Sequence, residues 1–185
     1  MRLIIAAVLA GMMMFMWSAL SHMVLGIGDA GVKPMPNEAA MTTALKTNFT
    51  EQGFYVLPGM DMTGHPSEAE QEAWAAKYKE GPNAILIYNP AGEDAMSPRK
   101  FAVELGSNIA AALVVGMILI FASVGFSRGV IISTLVGVAG WLSINVSYWN
   151  WYRFPTNFVT AELIDQTVSW LLAGFVLGYI LRRRN

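Results

Sequence analysis

The chain contains no cysteine, which removes disulfides, thiolate metal sites and a thiol nucleophile together. It has only two histidines, His22 and His65, too few for a histidine metal cluster and a thin supply for general-base catalysis. H-E-x-x-H and the phosphate-binding P-loop are also missing. Charge is scarce: 14% of the 185 residues are charged, against about 25% in soluble domains. The net charge of −1 offers no electrostatic footprint for nucleic acid. The sequence therefore points away from soluble-type enzymes and from a nucleic-acid partner.

What the chain does have is apolar surface, 55% of all residues. It is gathered into uncharged runs at 3–25, 105–126 and 130–148, and a fourth at 161–181 that carries acids only near its start. Each has the ~17–25 residues that cross a hydrocarbon core of about 30 Å. The expected fold is an all-α membrane bundle of four transmembrane helices, with a small α+β or α/β extracytoplasmic domain, 26–104, inserted between helices 1 and 2. The first run follows Arg2 and shares a charged start with signal peptides, but it exceeds the usual length of their apolar region and no clean A-x-A site follows it.

Arginine sets the expected orientation. Arg2, Arg128, Arg182, Arg183 and Arg184 fall on one side if both termini are cytoplasmic, leaving only Arg153 in a short outer loop. The segment 26–104 carries eleven acids and six bases, and long loops have little topological weight. Tyr148, Trp149, Trp151 and Tyr152 form an aromatic belt where the third span should leave the outer leaflet. A multi-pass protein of a bacterial inner membrane is expected, with Phe154 and Pro155 turning the chain and Thr160 capping the fourth span.

In the inserted domain, Met41, Leu45 and Phe49 recur on one face of a helix at 37–49 capped by Asn37. A strand follows at 54–57. Ser67 with Glu70 spells a capping box for a helix at 67–80, which Gly81 and Pro82 end. A second strand occupies 84–88, and Ser97 with Pro98 opens a helix that runs into the second span. The connection between the strands is long enough for a parallel, right-handed pair. Two strands alone make a marginal sheet, so packing on a helix, the membrane or another copy should complete it.

Two glycine motifs lack their context. Gly26, Gly28 and Gly31 match the dinucleotide fingerprint, but a membrane helix precedes them and Pro34 and Pro36 follow. Gly125, Ser127 and Gly129 match a nucleophile elbow with no strand before it. Asn48 with Thr50 forms a glycosylation sequon that a bacterial cell would leave idle.

Polar residues within the spans carry the most information, because each is costly in hydrocarbon unless partnered or wetted. His22 and Ser18 lie near the outer end of the first span, Glu104 and Asn108 at the start of the second, Asn145 late in the third, and Glu162, Asp165, Gln166 and Ser169 early in the fourth. Their three- and four-residue spacings predict inward stripes at one level, with Trp17, Trp141 and Trp170 beneath. The expected ligand-binding set is a polar cup of His22, Asn108, Asn145, Glu162, Asp165 and Gln166 floored by the three tryptophans, with His22 and Asp165 as its central pair. The structural alternative is that these groups are interhelical hydrogen-bonding glue. Gly137 with Gly140, and Gly174 with Gly178, suit close helix contact within one protomer or between two.

Twelve methionines suggest a second chemistry. Met60, Met62 and His65 could surround one Cu(I), and Met12 with Met16 lie a turn apart beneath His22, although methionine is also an ordinary apolar filler. The leading expectation is a non-enzymatic protein without cofactor, its partners the lipid bilayer and a homo-oligomer, membrane-complex protein or small ligand. The alternatives are a carrier of protons or a metal such as copper, and an intramembrane enzyme using Asp165 and His22.

Overall fold

The computed structural model describes residues 1–61 and 63–182. Two compact units emerge, Met1–Lys33 with Ala95–Asn185, and Pro34–Asp94.

The first unit holds four helices long and apolar enough to cross a membrane: α1 (Arg2–Met23), α4 (Pro98–Phe121), α5 (Phe126–Tyr152) and α6 (Thr156–Leu181). At about 1.5 Å per residue each exceeds a 30 Å hydrocarbon core. Their outward faces are apolar, with Ile4, Met16, Leu135, Phe121 and Tyr179 among the exposed residues. So continuous a surface needs lipid, not water, around it.

Inside, the packing is built from small side chains. Ala6, Ala7, Ala10 and Met14 of α1 meet Ala112, Val115 and Leu119 of α4 and Trp170, Ala173 and Leu177 of α6. Lipid tails are as apolar as leucine, so helices in a bilayer associate through close contact of small residues. A Cβ on Gly11 would come within 2.7 Å of the Ile109 backbone, and one on Gly129 within 3.0 Å of Gly178 Cα. α1 packs on α4 and α6, and α6 packs on α5.

Helix ends match one expectation and correct another. α4 starts at Pro98, where the Ser97 hydroxyl accepts from Lys100 N–H at 3.4 Å, so its first turns precede the apolar run. α6 starts at Thr156 behind Pro155, and Thr160 is not its cap: its hydroxyl donates to the Thr156 carbonyl within the helix. Pro155 sits just outside that start with φ −57° and ψ 137°, a place where its missing N–H costs no helical hydrogen bond. Between α5 and α6, Tyr148 stacks on Phe154 at 5.5 Å, Phe154 meets Phe158, and Trp149 Nε1 donates to Thr156 Oγ1 at 3.2 Å.

The second unit contains α2 (Glu38–Asn48), β1 (Gly53–Leu57), α3 (Glu68–Glu80) and β2 (Ala84–Tyr88). The strands pair antiparallel, Gly53 opposite Tyr88 and Leu57 opposite Ala84, which overturns the parallel crossover. Leu57 and Ala84 are partners at one end of the sheet, so the connection that carries α3 leaves that end and returns to it. Trp74 Nε1 donates to the Pro58 carbonyl at 3.0 Å and ties the start of that connection to α3. Phe49 packs on Tyr55 and Tyr88 at 4.6 and 5.4 Å.

The capping box is formed in full: Ser67 Oγ accepts from Glu70 N–H while the Glu70 carboxylate accepts from Ser67 N–H at 2.8 Å. Asn37 precedes α2 in the left-handed region and makes no side-chain cap. Its backbone carbonyl still accepts from Met41.

Candidate functional site

The inward stripe of α1 is Ala7, Ala10, Met14, Trp17 and Ser21, three and four residues apart. Ala7, Ala10, Met14 and Ser21 are buried and Trp17 is half-buried. It turns Ser21, fully buried, into the bundle and leaves Ser18 half-buried and His22 exposed. The His22 ring lies so close to Gly28 that a Cβ there would overlap it. The dinucleotide-like glycines thus fold back over the end of α1, and Ile27 N–H donates to the Ser21 carbonyl at 3.0 Å. Gly28 permits that contact by having no side chain.

On α6, Asp165, Ser169 and Trp170 are buried, and Glu162 and Gln166 are half-buried. Trp17 Nε1 donates to the Asp165 carbonyl at 3.2 Å, fixing α1 against α6 at that height. Glu162 Oε2 receives Asn145 Nδ2 from α5 at 3.5 Å, a long contact for a hydrogen bond. Glu162 is also close enough to Asp165 and His22 to feel their charges. Three helices therefore bring His22, Asn145, Glu162 and Asp165 within electrostatic or hydrogen-bonding reach.

Three buried polar atoms lack hydrogen-bond partners among the described residues: Asn83 Oδ1 in the second unit, and Asp165 Oδ1 and Ser21 Oγ in the bundle. Asp165 is 8% exposed and Ser21 fully enclosed. Buried polar atoms are nearly always satisfied, and an orphaned carboxylate oxygen costs more than most. Ser21 lies one turn beyond Trp17, so both bundle orphans sit around the same α1–α6 contact.

Asn108 has a different partner. Its Nδ2 donates to Glu104 Oε1 on its own helix at 3.3 Å. The tryptophans are anchored at staggered heights along α6: Trp141 Nε1 donates to the Val159 carbonyl at 2.8 Å, Trp17 to that of Asp165, and the Trp170 ring lies against Gly137. Sequence spacing overlooked Ser21, although its place in the small-residue stripe of α1 carried the signal.

Of the suggested copper ligands, Met60 and His65 lie in the second unit, His65 with a φ of 52°, and Met62 is outside the described residues. Between them, Asp61 accepts from Thr63 N–H and Oγ1 at 2.9 and 2.7 Å, and those hydrogen bonds hold its carboxyl below the usual carboxylate range. Met12 and Met16 are exposed on α1.

Comparisons with protein-family models, curated proteins and solved structures give no match. The functional reading therefore rests on the residues themselves.

Proposed function

We propose that this is a non-enzymatic multi-pass protein of a bacterial inner membrane, with both termini cytoplasmic, whose bundle binds a small cationic or hydrogen-bond-donating ligand. The observation that carries the reading is the buried Asp165 Oδ1 without a partner, with Ser21 Oγ also orphaned one turn beyond Trp17, which bonds the Asp165 carbonyl. Glu162 and Asn145 add acceptor and donor capacity beside it. Only two of the thirteen acids lie outside 26–104, and both are in this cluster. An acceptor-rich, low-dielectric site is completed by a guest that brings protons or positive charge.

The second unit would bind a partner protein, since Val56 and Ile87 expose apolar surface on a two-stranded sheet, a structure that is marginal alone. A thermal-shift panel on the detergent-solubilised chain, with sodium, ammonium, small primary amines and Cu(I), tests the bundle site. At least one cation should raise the melting temperature of the wild type and not of Asp165→Asn. Failure of every cation to discriminate the two sinks the reading.

A proton carrier is the second reading, favoured by Glu162 lying where the charges of both Asp165 and His22 reach it. Proteoliposomes loaded with a pH-sensitive dye separate it from simple binding: a carrier dissipates an imposed pH gradient, and Asp165→Asn stops it.

A further inference from the structure

The opposite end of the bundle has a recess that the ligand site does not use. Arg2, Tyr179, Ile180 and Arg182 line a cavity of about 220 Å³ where α1 begins and α6 ends. The Arg2 guanidinium donates to the Ile180 carbonyl, covering one of the orphan acceptors that a helix C-terminus leaves. A guanidinium has five N–H donors, so most of the fork remains for another acceptor. The Arg182 guanidinium lies 4.5 Å over the Tyr179 ring, a cation–π contact that holds the charge beside the recess.

Among the described residues of this unit, no acidic side chain lies at this end. The acids of this unit are Asp29, Glu104, Glu162 and Asp165. Asp29 follows the end of α1, Glu104 opens α4, and the other two open α6, so all four belong to the far end. Two fixed guanidinium forks, a phenol and an apolar wall at the end of a bilayer-length helix match an anionic headgroup. Basic recesses between membrane helices are suited to acidic lipid phosphates.

We infer that Arg2, Tyr179 and Arg182 form a site for the phosphate of an acidic phospholipid. The site is independent of the Asp165 cluster. Arg2 supplies a fork oriented by α6, Arg182 a second fork oriented by Tyr179, and Tyr179 is 61% exposed.

The full chain is reconstituted in nanodiscs of equal parts phosphatidylcholine and phosphatidylglycerol, then released for native mass spectrometry of the lipids it retains. The wild type should retain phosphatidylglycerol preferentially. Each arginine is worth about fivefold in that preference, so Arg2→Gln with Arg182→Gln should lower it about twenty-five-fold. Arg99→Gln, at the other end of α4, should keep it. Equal retention of the two lipids by the wild type overturns the inference, and that arm needs no variant to fold. Unchanged preference in the folded double variant overturns it as well. Displacement of the lipid by millimolar inorganic phosphate would assign the recess to free phosphate and reject the lipid source.

Discussion

At the scale of single residues, the energetics of Asp165 and Ser21 run against stability. A buried acceptor without a donor costs about 1–3 kcal/mol, and a carboxylate inside a membrane bundle is expensive in any state. Asp165→Leu should therefore stabilise the ligand-free protein by about 1–3 kcal/mol while abolishing the cation-dependent shift. Ser21→Ala should add about 1 kcal/mol by the same logic. Denaturation in mild detergent measures both, and marked destabilisation by either would mean that its polar atom is satisfied. In the second unit, hydrogen bonds from Ser67 hold Glu70 below its ordinary value of 4.5. A lowered folded value makes the cap's contribution complete above about pH 4.5 and lost as the pH falls through the lowered value. Amide exchange in the first turn of α3 should accelerate over that acid range, and Ser67→Ala should remove the pH dependence.

At the scale of elements, glycines of one composition separate by what faces them. A Cβ on Gly137 would lie 2.4 Å from Trp170 Cδ1 and one on Gly178 2.9 Å from the Phe126 carbonyl, whereas Gly140 has nothing within 4 Å. Gly137→Ala and Gly178→Ala should each cost about 1–3 kcal/mol by forcing α5 from α6. Gly140→Ala should gain up to about 1 kcal/mol from helix propensity alone. Thermal melts of the three variants decide it, and equal effects would reject the packing. Gly174 and Gly178 are occupied by α5 of the same chain, which resolves the choice that G-x-x-x-G leaves open toward internal packing. The four apolar helices were legible because hydrocarbon thickness imposes a length that sequence counts directly. The capping box was equally local, confined to Ser67 and Glu70. Strand direction was not, because it depends on which sheet end the connection carrying α3 returns to, which no residue type encodes. Nor was the facing of α1: Ser18 and Ser21 differ by one helical turn less a fraction, and only the small-residue stripe tells which is enclosed. The meeting of Asn145 with Glu162 was anticipated by level, while the self-contained Asn108–Glu104 pair was invisible to level alone.

At the scale of the whole molecule, threading through the bilayer decides what each end can meet. The arginines at the start of α1 and the end of α6 oppose a cluster that holds both acids of α6, and the proposed orientation, with the arginine end in the cytoplasm, rests on the positive-inside tendency. Zero cysteines make the assignment directly measurable, since any thiol introduced is the only one. Glu72→Cys in α3 and Ser127→Cys at the start of α5 occupy exposed positions. In intact spheroplasts a membrane-impermeant maleimide should label Glu72→Cys and spare Ser127→Cys until the membrane is opened. The reverse pattern would invert the protein, putting the Asp165 cluster toward the cytoplasm and the arginine recess outside. Labelling of both from one face would break the four-span arrangement itself. With the expected pattern, a cation reaching Asp165 approaches from outside, while the Arg2–Arg182 recess meets the leaflet where acidic lipids give a negative surface potential.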